Sequence, residues 1–263
     1  MLDIFLSPDA WVALLTLTFL EIVLGIDNII FISIAAGKLQ EKDRKKATNI
    51  GLVLAMAMRI LLLFGISMLT ALNEPFWELN TAWVQGGISG QAVILFLGGL
   101  FLLYKSTKEI HEKIEDKGHD AQQVASGQSK SLRAAILQIT IINIVFSFDS
   151  ILTAIGMTNG ISENPTDALI LMIIAVVISV LIMMLFANPV GKFVTNNPTI
   201  QILGLSFLIL IGFMLTTEAA HLSHLVVFGQ SIGSIPKGYL YFSIAFSLMV
   251  EFLNMNIRKK KTP

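Results

Sequence analysis

The sequence contains no cysteine, and only 14% of its 263 residues are charged. The absence of cysteine excludes disulfide scaffolds, thiolate metal sites and cysteine nucleophiles. A soluble domain averages about 25% charged residues, so the scarcity of charge points away from an ordinary soluble protein. The 18 basic and 18 acidic side chains cancel to a net charge of zero. Nucleic-acid-binding proteins show a basic excess, so no nucleic-acid partner is expected.

What the sequence has instead is long uncharged stretches. Residues 79–104, 168–191 and 193–217 carry no charged side chain, and a helix needs about 20 apolar residues to cross a bilayer. Further spans are predicted if a span may contain a single buried charged residue. The third span is expected to begin near Gln91, after a loop at residues 86–90. The sequence predicts an all-α membrane protein in contact with the lipid bilayer. Its seven predicted transmembrane helices lie at about residues 10–36, 48–72, 91–104, 133–158, 168–191, 193–217 and 237–256.

Basic residues are distributed unequally between the predicted loops. Sixteen of the 18 fall in the first, third and fifth connections and in the C-terminal tail, leaving Lys237 opposite and Arg59 inside the second span. Cytoplasmic loops carry an excess of Lys and Arg. We therefore expect a multi-pass protein of the inner (plasma) membrane with its N-terminus outside and its C-terminus in the cytoplasm. No cleaved signal peptide is expected, because Asp3 and Asp9 stand where a basic segment would be needed.

An internal repeat relates the two halves of the chain. Residues 21–30 align with residues 143–152 at a constant offset of 122, and Asp27 matches Asp149. Each repeat contains three spans, an odd number, so the halves are predicted to have opposite orientations in the membrane. Inverted repeats of this kind are common in secondary transporters.

The repeat defines the predicted organisation of the chain. A weaker match in the third spans relates Gly98 to Gly204. Pro165, Pro189 and Pro198 are expected to mark span ends. The predicted parts are a first three-helix repeat (1–115), a cytoplasmic linker (116–132), a second inverted three-helix repeat (133–225), and a seventh helix with a basic tail (226–263).

Ionisable residues inside the predicted spans are the strongest functional signal. Glu21, Asp27, Arg59, Asp149 and Glu251 all lie within spans. A carboxylate at the bilayer centre costs about 2.5–3.5 kcal/mol on insertion scales, so two acids in the first span are hard to explain by structure alone. The pseudo-two-fold axis of an inverted repeat would bring Asp27 and Asp149 together near the middle of the membrane.

The residues around the two aspartates are poor helix formers. These are Gly25 and Asn28 in the first span, and Ser147 and Ser150 in the fourth. We expect an unwound or kinked segment in both helices, whose freed carbonyls would line a cavity. Carboxylates, the Asn28 amide, the Ser150 hydroxyl and carbonyls form a hard-oxygen set that suits Mg²⁺, Ca²⁺ or Mn²⁺. The divalent ion would be cargo, and no separate cofactor is expected.

Further polar residues of the spans have two interpretations each. Glu21 is a candidate metal ligand or proton carrier, and its repeat partner Asn143 is a candidate ligand. Arg59 is interpreted as a counter-charge to one of the acids, with a mechanistic gate as the alternative. Glu251 and Asn254 are three residues apart and are predicted to share one helix face. They either belong to a functional site, with a proton or counter-charge role for Glu251, or only pack against neighbouring helices.

Three residues on the predicted outer side share a metal-ligand spacing. Glu218, His221 and His224 are three residues apart. Histidine and carboxylate side chains can hold a metal ion, but an interfacial loop explains this pattern better than a metal site does.

Four segments resemble the signatures of a known family. They are Glu21–Asn28, Phe146–Ser150, Pro236–Phe242 and Val250–Asn254. They are similar to those of the TerC family of integral membrane proteins, and the resemblance covers nearly the whole chain. That family belongs with the LysE-like transporters and is associated with manganese export and tellurite resistance. The resemblance implies Mn²⁺ export with Asp27 and Asp149 central, whereas the residues alone indicate only a hard divalent cation.

Two other functions are compatible with buried acids. A passive cation channel would use the same residues, and saturable flux coupled to a proton gradient would distinguish a carrier from it. Intramembrane aspartyl proteases carry a Gly-x-Gly-Asp motif and a Pro-Ala-Leu motif, and neither occurs here. We therefore expect a transporter and not an enzyme. The sequence leaves the coupling ion and the oligomeric state open.

Overall fold

A computed structural model of the protein describes residues 3–37, 39–65, 72, 74–81, 83–115, 132–158 and 165–261. Most of these residues are helical, and the predicted linker at 116–131 lies outside them. After a 3₁₀ turn at Asp3–Leu6, the helices are α1 (Pro8–Gly37), α2 (Glu41–Phe64), α3 (Gly90–Glu115), α4 (Leu132–Thr158), α5 (Pro165–Asn196), α6 (Pro198–Leu222) and α7 (Lys237–Lys261).

Five helices are long and apolar enough to cross a membrane, counting only described residues: α2, α3, α5, α6 and α7. They expose large apolar side chains, such as Phe64 and Leu185, as lipid-facing helices do. Helices α1 and α4 are 30 and 27 residues long and contain the positions of Asp27 and Asp149. This agrees with the predicted membrane class, while the count of seven spans stays a prediction.

The all-α prediction is incomplete, because four short strands form an antiparallel sheet in the order β1-β2-β3-β4. The strands are β1 (Pro75–Asn80), β2 (Val84–Ser89), β3 (Val226–Val227) and β4 (Gln230–Ser231). Trp77 lies opposite Ile88, and Val84 lies opposite Val227. The loop expected at residues 86–90 is therefore strand through Ser89. Aromatic and β-branched residues favour this pleated pairing, whereas Gly86, Gly87 and Gly90 had indicated a loop.

Prolines begin three of the helices, where the missing N–H has no partner to lose. Pro165 and Pro198 stand at the first positions of α5 and α6. The prediction that Pro189 ends a span is wrong, because α5 continues to Asn196. Proline removes one backbone hydrogen bond, and the turns beyond it are held by packing: Thr195 of α5 lies against Gly37 of α1.

Contacts divide the chain into two compact units. The first comprises residues 1–71 and 119–196, and the second comprises residues 72–118 and 197–263. The first unit therefore contains α1, α2, α4 and α5. The second contains α3, α6, α7 and the sheet.

In the first unit, α1 packs along α5. Gly25 faces Met183, and Gly37 faces Thr195. Both contacts join residues at the same separation along the chain, so the two helices run parallel. Small residues allow this close approach.

The second pair in this unit is α2 with α4. Gly51 faces Ile139, and Arg59 contacts Ser147 about two turns further along both helices. The later residue of α2 meets the later residue of α4, so these two helices also run parallel. Helices α1 and α2, joined by a short connection, run antiparallel, with Glu21 against Arg59.

In the second unit, α3 packs along α6, and α6 contacts α7. The backbone N–H of Gly87, just before α3, donates to the carbonyl of Ser223, just after α6, at 2.8 Å. At the opposite end of the pair, the Lys113 ammonium donates to Gln201 Oε1. The start of one helix therefore meets the end of the other, and the pair is antiparallel.

Candidate metal-transport site

The candidate site lies on α1 and α4, which pack against each other in the first unit. Asp27 and Asn28 lie in α1 and Asp149 lies in α4, but their side chains fall outside the described part of the structure. The described candidates on the four helices are Glu21, Arg59, Asn143 and Ser150, and all four are buried.

Glu21 and Arg59 form an ion pair between α1 and α2, joining Glu21 Oε2 to Arg59 Nη1. Their side chains are only 6% and 7% exposed. Removing one partner of such a buried pair typically costs about 3–5 kcal/mol, because the other charge is left uncompensated. The charge of Glu21 is therefore balanced inside the protein by a neighbouring helix.

Ser147 is the second partner of Arg59. Arg59 Nε donates to Ser147 Oγ at 3.4 Å, and Ser147 Oγ donates to the carbonyl of Asn143 at 2.6 Å. One guanidinium on α2 thus contacts both α1 and α4. From the sequence, Ser147 was expected only to weaken the helix, as a poor helix former. The missed signal is that Ser147 matches Gly25 in the repeat, so the two helices carry different groups at equivalent positions.

Asn143 and Ser150 donate hydrogen bonds to their own helix. Asn143 Nδ2 donates to the carbonyl of Ile139 at 2.8 Å, and Ser150 Oγ donates to the carbonyl of Ser147 at 3.1 Å. The Asn143 bond uses the amide nitrogen and not the oxygen that would coordinate a cation. A hydroxyl that donates its proton keeps its lone pairs, so Ser150 is also available as a ligand.

The prediction of unwound segments is wrong, because the backbone is helical throughout α1 and α4, while the alternative of a kink stays a prediction. Unpaired backbone groups cost several kcal/mol each in a membrane. The small polar side chains meet this demand by bonding to the preceding turn, as Ser33 does to the carbonyl of Ile29 at 2.6 Å. The helix carbonyls near residues 25–28 and 147–150 are therefore committed to the helices and are not free ligands.

A small cavity between the four helices of the first unit adjoins Glu21. Its volume is about 10 Å³, which is roughly the space for one water molecule. Glu21 is the one ionisable residue among the described residues that line it, and the other walls are apolar side chains from all four helices. The lining residues are Leu17, Glu21, Leu63, Ile151, Ala154, Met172, Ala175 and Val176.

The chain matches the family described as integral membrane protein TerC over residues 6–262. It belongs to the TerC family. It is 44% identical over 257 residues to the UPF0053 inner membrane protein YgdQ of Escherichia coli K12, covering 98% of this chain and 97% of that protein. A UPF0053 protein of Haemophilus influenzae is 42% identical over 253 residues, covering 96% of each chain. No solved structure matches the chain significantly.

Another TerC-type relative is longer than this chain. The UPF0053 inner membrane protein YoaE of Escherichia coli K12 is 40% identical over 261 residues, which are 98% of this chain but 45% of that protein. The resemblance predicted from the sequence motifs is confirmed. In this TerC protein two of the motifs lie on α1 and α4, and the segment Val250–Asn254 lies on α7.

Glu251 of this TerC protein lies on α7 of the second unit. It is 8% exposed, and its Oε1 atom is buried with no hydrogen-bond partner among the described residues. Asn254, predicted to share its helix face, is exposed. The two residues therefore have different surroundings.

The outer residues Glu218 and His221 lie near the end of α6, and His224 follows it with a φ of 46°. Among the residues that the structure describes, no group of three or more His, Asp or Glu side chains is arranged to hold a metal ion. These three residues accordingly do not form such a group.

Proposed function

We propose that this TerC-family protein is a secondary transporter that exports Mn²⁺, or another hard divalent cation, from the cytoplasm by alternating access. The cation binds in the middle of the membrane, where two carboxylates neutralise its charge. Hard oxygen ligands suit such ions better than they suit soft metals. The proposed ligands are Asp27 and Asp149, with Asn28, Ser150, Glu21 and Asn143 around them.

One observation carries this proposal. Arg59 contacts Glu21 of α1 and Ser147 of α4, so these two helices approach each other at that level. Glu21 is six residues from Asp27, and Ser147 is two residues from Asp149. Helices α1 and α4 run antiparallel, so at a rise of about 1.5 Å per residue Asp27 lies about 9 Å to one side of that level and Asp149 about 3 Å to the other. We propose that the cation binds between these two positions.

The directions of the helices support alternating spans and an inverted repeat. In a chain that crosses the membrane seven times, the first and fifth spans are parallel, and so are the second and fourth. The α1–α5 and α2–α4 pairs have these directions. A pseudo-two-fold axis that exchanges α1 with α4 and α2 with α5 would turn the first pair into the second.

Placement in the inner membrane is supported by relatives that are named inner membrane proteins. The distribution of Lys and Arg supports an external N-terminus and a cytoplasmic C-terminus. The sheet beside the start of α3 and the end of α6 exposes Trp77, Trp83 and Phe228. Aromatic residues are enriched where membrane meets water, so these side chains suit a sheet at that boundary.

A carrier is better supported than a passive channel. A channel needs a continuous water-filled path, whereas the cavity beside Glu21 has a volume of only about 10 Å³ and mostly apolar walls. An acidic site would repel the tellurite oxyanion, so we propose that any tellurite resistance is an indirect effect. No enzymatic activity is proposed.

The decisive test is transport by the purified protein in proteoliposomes. Uptake of Mn²⁺, Mg²⁺, Ca²⁺ and Zn²⁺ is measured with and without a pH gradient. We expect saturable Mn²⁺ flux that is lost in Asp27→Asn and in Asp149→Asn. Glu78→Gln is the matched control, because Glu78 is an exposed acid of the sheet. Wild-type flux in either aspartate variant would refute the site, and flux that never saturates would favour a channel.

A further inference from the structure

The four helices of the first unit form two tightly joined pairs. We call α1 with α5 the first arm, and α2 with α4 the second arm. A Cβ added at Gly51 would lie 2.7 Å from Ile139 Cγ2, and one added at Gly191 would lie 3.1 Å from Ser33 Oγ. Contacts this close leave no room for a side chain, so each arm is packed as one body.

Contacts between the arms differ at the two ends of the unit. At the end where α1 finishes and α2 begins, small apolar side chains form a dry buried cluster: Ala36, Leu39, Ala47 and Ala135. Nearer the other end, the arms meet through the Glu21–Arg59 ion pair and enclose the water-sized cavity. The polar contact and the unfilled space thus occur together at one level of the unit.

We propose that the Glu21–Arg59 pair is a latch that holds the two arms together on the side where α1 begins and α2 ends, and that it opens to release the cation. This inference rests on the proposed transport function. Glu21 belongs to the first arm and Arg59 to the second. Separation of the arms on this side must break their ion pair, and Leu17 and Leu63, which line the cavity, would then meet water.

Ser147 has a defined part in this latch. It lies on the same arm as Arg59 and accepts a hydrogen bond from Arg59 Nε. This bond does not cross between the arms, so it survives when they separate. Ser147 therefore positions the guanidinium on its own arm and keeps it ready to pair again with Glu21.

Charge balance separates the latch from the cation. Glu21 and Arg59 neutralise each other, and the two charges of a divalent cation are matched by Asp27 and Asp149. While the latch is closed, the Glu21 carboxylate pairs with Arg59 and does not bind the cation. Loss of Arg59 alone therefore leaves an unpaired acid beside the site, whereas loss of both latch residues leaves no unpaired charge there.

The test is the reactivity of a single cysteine in the full-length protein in proteoliposomes. The chain has no cysteine of its own, and Leu63 is 1% exposed and lines the cavity. Leu63→Cys should react slowly with a membrane-impermeant maleimide. Adding Arg59→Gln should raise the rate by about tenfold or more, because the buried pair no longer favours the closed arms. Arg59→Lys keeps the charge and should restore slow labelling.

A control and a second variant keep the test decisive if Arg59→Gln folds poorly. Ile139→Cys replaces a fully buried residue within the second arm, and it should stay unreactive in every background. The double variant Glu21→Gln with Arg59→Gln removes the latch without leaving a buried charge. It should label Leu63→Cys quickly, and a cooperative thermal unfolding transition should show that it is folded.

The outcomes separate the latch from the transport proposal. Slow labelling in a double variant that is folded would overturn the latch. If labelling depends on Arg59 but no Mn²⁺ flux exists, the transport proposal fails and the latch stands. If flux exists but labelling is independent of Arg59, the latch is wrong.

Discussion

Gly99 of α3 and Gly212 of α6 approach each other reciprocally. A Cβ at Gly99 would lie 2.7 Å from the carbonyl oxygen of Gly212, and a Cβ at Gly212 would lie 2.9 Å from that of Gly99. Two backbones meet here without side chains between them, as at small-residue contacts of membrane helices. Reciprocity is what a two-fold axis between the two residues would produce, and it supports the proposed inverted repeat.

We predict that Gly99→Ala destabilises the protein by at least about 1–3 kcal/mol, because the new Cβ meets backbone that cannot rotate away. Thermal unfolding in detergent measures the loss. Gly233→Ala is the control, since a Cβ there meets nothing within 4 Å. Equal stability of the two variants would show that the helices separate easily at this contact.

A second prediction concerns disulfides within the arms. An ideal Cβ built at Gly51 would lie 3.5 Å from Ile139 Cβ, and one built at Gly191 would lie 3.7 Å from Ser33 Cβ. Both distances fall within the range for disulfides. The pairs Gly51→Cys with Ile139→Cys, and Ser33→Cys with Gly191→Cys, should therefore oxidise readily, and Mn²⁺ flux should remain within about twofold of the reduced protein. Flux abolished by oxidation and restored by reductant would show that motion occurs within an arm.

Glu251 gives a third prediction. Its buried Oε1 has no hydrogen-bond partner among the described residues, and an unpaired buried polar group costs about 1–3 kcal/mol, more if it is charged. Glu251→Gln should therefore leave the melting temperature unchanged or raise it, while Asn254→Ala, at an exposed position, should have little effect. A large loss of stability in Glu251→Gln would show that the carboxylate has a partner it needs.

Mn²⁺ itself should stabilise the folded protein. At 100 times its Kd a ligand contributes about 2.7 kcal/mol, which corresponds to a rise in melting temperature of about 5–10 °C for a chain of this size. EDTA should reverse the rise, and Asp27→Asn or Asp149→Asn should abolish it. A full rise in both aspartate variants would place the metal elsewhere.

The sequence was sufficient for the features set by composition and local pattern. Charge scarcity predicted the membrane class, and the motifs around Asp27 and Asp149 predicted the family. Burial of Glu21 and Arg59 also followed from their uncharged surroundings. Which acid pairs with Arg59 could not be read from the sequence, because it depends on how α1, α2 and α4 pack.

Other features were missed because tertiary contacts overrode local propensity. Gly25 and Ser147 suggested broken helices, yet packing and the demand for backbone hydrogen bonds keep both helices intact. The alignment of Gly98 with Gly204 differs by about two helical turns from the reciprocal contact of Gly99 with Gly212. A short apolar match cannot fix the register of two helices whose faces repeat every turn.

The α3–α6 pair is attached at three places: Gly87 to Ser223 at one end, the two glycines in the middle, and Lys113 to Gln201 at the other end. Attachments at both ends and in the middle prevent the two helices from sliding along each other or separating at either end. The distance between α3 and α6 can therefore serve as an internal reference. Two spectroscopic labels on α3 and α6 should report one constant distance through a transport cycle, against which changes between the two arms can be calibrated.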